Sequence, residues 1–94
     1  MMNEFNCLKS PADVNMEIAR RMQKRRKTNK LTQKQLAQKS GVSLGSVKRF
    51  ERLGEISLSS LVKIAFVLDC EDDFDALFAR KEYRSIQEVI DEQL

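Results

Sequence analysis

Residues 32–51 read TQKQLAQKSGVSLGSVKRFE, and the spacing of residue types within this stretch decides the fold. Thr32 offers the side-chain oxygen of a helix N-cap, and the helix it opens, about Gln33–Lys39, turns Leu36 and Ala37 inward. Ser40, Gly41 and Val42 form a tight turn in which Gly41 takes a positive φ at least cost. Ser43 caps a second helix of about Leu44–Leu53, closed by Gly54 where left-handed dihedrals are favoured. Two helices crossing steeply through so short a turn need a small residue where their backbones meet, and Ala37 supplies it. Val42, Val47 and Phe50 have the spacing to hold the second helix from inside. At about 100° per residue the opposite direction falls on Gly45, Lys48, Arg49 and Arg52. A helix that is apolar within and small and basic without suits the major groove of B-DNA.

The pattern extends both ways from this stretch. Upstream, Ser10, Pro11 and Asp13 give an N-cap, a proline at the first helical position and an acid near the positive end of the dipole. That helix runs to about Lys27, with Val14, Ile18 and Met22 on one side and Lys24–Lys27 at its end. Thr28, Asn29 and Lys30 make a polar break. Downstream, Ser57 caps a helix of about Leu58–Leu68, apolar on nearly every face, so that a central position is predicted for it. Asp72 or Asp73 starts a short fifth helix carrying Phe74, Leu77 and Phe78. Ser85 then caps a last amphipathic segment with Ile86, Val89, Ile90 and Leu94 on one stripe. Strand-like alternation is absent. Val42, Val47, Phe50, Leu58, Leu61 and Phe74 are expected in the core.

Ninety-four residues make one domain with a modest core, so self-association or a partner is in keeping with the size. One third of the residues are charged and no apolar run approaches the roughly 20 needed to span a bilayer. The first ten residues are too short and polar for a secretory leader, and a cytoplasmic location is expected, nucleoid-associated when bound to DNA. There is no histidine, and Cys7 and Cys70 lie far apart. A metal site is not expected, and two reduced thiols fit better than a long-range disulfide. Nor is there a glycine-rich phosphate loop or a catalytic constellation, so neither a cofactor nor an enzyme is expected. The acids of 71–75 are read as complementing a helix dipole rather than binding metal.

The net charge of +3 hides a strong asymmetry. Arg20–Arg52 holds twelve lysines and arginines against one acid, Glu51, whereas Leu53–Leu94 holds four basic residues against ten acidic ones. So dense a basic block calls for an anionic partner such as a polyphosphate backbone. A solvated helix face is the plainer reading, and charge alone does not choose. Few aromatics lie in the block, which argues against stacking on single strands.

The run of Gln33, Ala37, Gly41, Val42, Val47, Phe50 and Glu51, with a glycine three residues on, resembles the helix-turn-helix of the lambdoid phage repressor and Cro (XRE) family of bacterial regulators. The likeness covers about Ala12–Phe78 and takes in the basic first helix, the apolar fourth and the short fifth. It implies an all-α, five-helix repressor-like domain over 11–79, preceded by an N-terminal segment, 1–10. A C-terminal extension, 80–94, carries the amphipathic helix, a candidate dimer or partner contact, and lies outside the family core. It implies that Gln33 contacts a phosphate and buttresses the reading helix. Bases would be read by Ser43, Leu44, Gly45, Lys48 and Arg49, with Ser46 and Arg52 as further DNA-binding residues. Arg49 is the first choice, because a guanidinium bonds guanine O6 and N7 in bidentate fashion, and Leu44 would pack on a thymine methyl if it projects into the groove. Glu51 would pair with Arg26 as scaffold. Gly45 departs from the pattern, standing where many relatives carry a base-reading side chain, which shifts weight to Arg49, Lys48 and DNA shape.

The resulting expectation is a sequence-specific regulator of double-stranded DNA, a repressor, working as a homodimer. The alternative is the antitoxin of a toxin–antitoxin pair that binds a toxin protein and autoregulates its operon. The stripe of the last segment folds back, pairs with a second copy or meets another protein; the sequence leaves all three open.

Overall fold

A computed structural model of the chain describes residues 9–81 and 90–93. In chain order it contains α1 (Pro11–Thr28), α2 (Gln33–Ser40), α3 (Leu44–Leu53), α4 (Leu58–Val67) and a 3-10 helix (Glu71–Ala76). The fold is all-α, with no strand among the described residues.

Each α-helix starts on a hydroxyl. Ser10, Thr32, Ser43 and Ser57 all have extended backbones and accept the N–H of the residue three places on. At Ser10 and Thr32 the caps are reciprocal, because the side chains of Asp13 and Gln35 accept the cap's own N–H. The ends are made differently. α2 and α3 stop on Gly41 (φ 78°) and Gly54 (φ 75°). α1 and α4 stop on paired turn bonds around non-glycine residues in the left-handed region, Lys30 (φ 59°) and Asp69 (φ 57°). There Leu31 donates to the Arg26 carbonyl and Cys70 to that of Ala65, at 3.1 and 2.9 Å. The sequence shows Thr28–Lys30 only as a polar break; its geometry is a Schellman turn that brings Leu31 back over the helix.

α3 packs between α1 and α2, and α2 against α4. The core is Ala19, Met22, Leu36, Ala37, Val42, Val47, Phe50, Ile64, Ala65 and Leu68. Small Ala19 and Ala37 let backbones approach, while Phe50 and Leu36 fill the centre. The expected centrality of α4 is corrected: Ile64, Ala65 and Leu68 are buried, but Leu58 is 65% exposed and Phe66 is also open to solvent. One face of a ten-residue helix suffices to cover so small a core. Leu61 and Phe74 are half-buried.

The fifth helix also differs from expectation. It is a 3-10 turn without a side-chain cap, it ends at Ala76, and Leu77 and Phe78 lie beyond it and exposed, Phe78 by 97%. Six residues with three consecutive acids in the first turn are too few to nucleate a stable α-helix. Of the last amphipathic segment, Ser85, Ile86, Val89 and Leu94 lie outside the described residues, as does Cys7; Ile90 is exposed. Cys70 is a free, half-buried thiol whose pKa burial pushes up.

Gly54 is fixed twice over. Besides its φ, a Cβ there would lie 3.1 Å from the Asn15 carbonyl carbon and the Met16 sulfur. A Cβ at Gly41 would meet nothing within 4 Å. Gly41→Ala is therefore expected to cost only the left-handed strain, about 1–2 kcal/mol. Gly54→Ala is expected to cost measurably more, because α1 must shift. Urea unfolding of the two variants checks this, and equal losses would refute the close approach.

Candidate nucleic-acid interface

Holding α3 rigid is the first requirement of a reading surface. Val47 and Phe50 are buried on its inner side, and Gly45, Lys48, Arg49 and Arg52 are exposed on the outer one. Among the described residues Lys48 and Arg52 have no ion-pair partner, so two cations stand in solvent beside the side-chain-free patch at Gly45.

The flank of α3 is fixed by a buried polar cluster around Glu51. The Arg26 guanidinium donates through Nε to Glu51 Oε2 at 2.7 Å and through Nη2 to Oε1 at 2.9 Å. Its Nη1 donates to the Leu31 carbonyl at 2.8 Å. The amides of Gln33 and Gln23 donate to Glu51 Oε1 at 2.9 and 3.0 Å. Side-chain exposure is 8% for Arg26 and 3% for Glu51. Burial alone would raise the Glu51 pKa. Hydrogen bonds from Arg26, Gln33 and Gln23, helped by the Arg26 charge, outweigh it and hold the carboxyl below the ordinary glutamate range. One carboxylate thus ties α1, the start of α2 and the end of α3 together.

The remaining expected site residues divide by how far their atoms are already engaged. Gln33 stands on the first turn of α2 with one of its two amide N–H groups donated to Glu51. Ser43 caps α3 through the Ser46 N–H at 3.1 Å and donates its hydroxyl to Ser46 Oγ at 2.8 Å. Leu44 is half-buried and packs against the core, which leaves less of it for a thymine methyl than the sequence suggests. The turn between α2 and α3 is stiffened by Ser40, whose hydroxyl accepts the Val42 N–H at 3.2 Å and donates to the Ala37 carbonyl at 3.4 Å.

Arg49 is exposed but not unpartnered: its Nη2 lies 2.6 Å from Glu55 Oε1, both side chains being 58% exposed. Glu55 and Gln23 escape a reading by sequence. Gln23 shows only as one polar residue in a basic helix. Glu55 sits six residues past Arg49, beyond the helix end, where no helical periodicity connects them. The left-handed turn at Gly54 is the signal that sends the chain back alongside α3.

The basic residues of α1 fall on two sides. Arg20 and Lys27 lie within about 60° of Gln23 around the helix, the side that faces Glu51 and the α2–α3 unit. Arg21 and Arg25 instead rim an apolar groove between α1, α4 and the 3-10 helix, beside Leu61, Ile64, Leu68 and Phe74. The block that looks uniform in sequence is not one surface.

Among the described residues no group of three or more potential metal ligands comes together, and no helix is long and apolar enough to cross a membrane. A helix-turn-helix family model, HTH_3, matches residues 22–74, more than half of the chain. Neither a curated protein nor a solved structure matches it.

Proposed function

Since the chain belongs to the helix-turn-helix family of the Cro/C1 (XRE) type, a family of DNA-binding transcription regulators, we propose that it is a sequence-specific repressor that reads the major groove with α3. The observation that carries this reading is the outward face of α3: Lys48, Arg49 and Arg52 exposed around Gly45 on a helix locked from behind by Val47, Phe50 and Glu51. Arg49 is assigned to a base edge, and Lys48 and Arg52 to bases or adjacent phosphates. Ser43, Ser46 and Gln33 approach the backbone at the starts of α3 and α2, where helix N-termini favour phosphate. With no side chain at Gly45 and Leu44 partly turned inward, discrimination concentrates on Arg49, with DNA shape supplying the rest.

Residues 11–79 are assigned to the DNA-binding domain and 80–94 to a contact with a second copy. A homodimer would set two reading helices one helical turn apart on a palindrome, about 34 Å. The antitoxin alternative draws on the acidic stretch from Leu53 onward and on the exposed apolar residues Leu58, Phe66, Leu77 and Phe78, a surface suited to a basic protein partner. A toxin-like gene beside this one would favour that alternative over a simple regulator.

Footprinting on the DNA upstream of its own gene tests the proposal, with protection of a palindrome expected. Arg49→Ala is expected to lose about 1–3 kcal/mol of discrimination between operator and random duplex. Lys27→Ala is the control: it should weaken both duplexes alike and lower the salt slope by about 0.9 if it neutralises one phosphate. Arg21, on the groove side of α1, should matter less than Lys27. Wild-type protein that binds operator and random duplex equally would end the specific-regulator reading.

A further inference from the structure

We propose that Glu55 is a specificity-determining residue that acts through Arg49, suppressing binding to sequences that offer Arg49 no bidentate partner. The inference rests on the assignment of Arg49 to a base edge. The turn at Gly54 (φ 75°) carries Glu55 back beside the reading helix, where its Oε1 accepts from Arg49 Nη2 at 2.6 Å. A carboxylate beside a surface that meets DNA is repelled by every phosphate, whatever the sequence. An unpaired arginine is attracted by every phosphate in the same way. Paired, the two present no net charge, so Arg49 no longer contributes to sequence-independent attraction.

The bond to Glu55 engages one of the five donors of the guanidinium, which leaves an edge with parallel N–H groups for guanine O6 and N7. It also fixes the head of a long side chain before DNA arrives, which reduces the conformational freedom lost on binding. A guanine accepts the open edge with two hydrogen bonds. Other bases offer Arg49 less, and a phosphate at the open edge meets a pair without net charge and the Glu55 carboxylate beside it. Pairing at 58% exposure is weak enough to yield. Glu55 therefore lowers affinity for all DNA and lowers it most where guanine is absent.

The test uses the full chain and a duplex selected with it from a random-sequence pool, compared with a scrambled duplex across a salt series. Glu55→Gln keeps shape and removes charge. It is expected to tighten binding to the scrambled duplex by about 1.4- to fivefold, the range one exposed ion pair spans. The salt slope there should steepen by about 0.9, one further phosphate neutralised. Binding to the selected duplex should tighten less, so the ratio of the two affinities falls. In an Arg49→Ala background the same substitution should leave the ratio unmoved. If Glu55→Gln strengthens both duplexes equally or widens the ratio, Glu55 does not determine specificity. Arg49 keeps its assignment in that event provided Arg49→Ala alone collapses the ratio. If Arg49→Ala retains the full ratio, the base assignment falls and this proposal with it. Thermal unfolding of the variants separates either result from loss of fold.

Discussion

Glu51→Ala is expected to destabilise the domain by about 3–5 kcal/mol, the cost of leaving a buried guanidinium without its carboxylate. Arg26 is only 8% exposed, so solvent cannot take over the role of Glu51, and the amides of Gln23 and Gln33 lose their acceptor in the same stroke. Urea unfolding followed by circular dichroism measures the loss; a change below about 1 kcal/mol would mean the cluster is solvated in solution. The pair need not be the best possible use of the space. An Arg26→Met/Glu51→Met double variant is expected to regain much of the loss, because two buried charges are then exchanged for apolar contacts. Recovery stays partial, since the Leu31 carbonyl and both glutamines still lack their partners.

The same carboxylate gives the domain an acid weakness whose sign follows from its surroundings. The folded-state pKa of Glu51 lies below the ordinary value of about 4.3 in an unfolded chain. The stability it contributes is therefore complete above about pH 4.3 and is lost as pH falls through the folded-state value. Glu51→Gln cannot titrate at this position. Its stability should fall less steeply below that pH than the wild type's, and matching slopes would place the acid sensitivity elsewhere. Asp13, also held low by its capping bonds, contributes to both proteins and cancels in the comparison.

Local chemistry made the helix boundaries legible in the sequence. Four hydroxyl caps, one proline and two glycines mark where α1–α4 begin or end, and each mark is a short-range preference of a few residues. The inner face of α3 was legible for the same reason, because Val47 and Phe50 follow from period alone. What the sequence could not show depends on relations without a period. Leu58 and Phe66 look like core residues, yet how many faces of α4 are covered depends on how much protein surrounds it. The ends at Lys30 and Asp69 use non-glycine residues in glycine's conformation, which no composition rule flags. At the interface, the outward set Gly45, Lys48, Arg49 and Arg52 is a periodic feature and was readable. The partners Gln23 and Glu55 are tertiary, one reaching across from α1 and one returning around a helix end.

Phe50→Ala is expected to cost about 3–5 kcal/mol, a lowering of the melting temperature by at least about 12 °C in a domain this small. Phe50 is 2% exposed and heads the largest fully buried side chains, so its removal leaves a cavity beneath α3 that neighbouring helices can close only by moving. Leu58→Ala, at a site 65% exposed on α4, is the matched comparison and should stay within about 0.5 kcal/mol. The effect on DNA binding distinguishes holding from reading. Phe50 is buried behind the reading face, so its loss acts by reducing the folded fraction, and both duplexes should lose apparent affinity by the same factor. DNA that binds only the folded state opposes that loss, by about 4 kcal/mol at a thousandfold excess over its dissociation constant. A melt in saturating operator should therefore recover most of the shift. Arg49→Ala should do the reverse, leaving the melting temperature of the free protein nearly unchanged while discrimination collapses. If Phe50→Ala altered the ratio of affinities at full folding, the division of α3 into a holding face and a reading face would be wrong, and the core side of the helix would be setting the pose from which Arg49 reads.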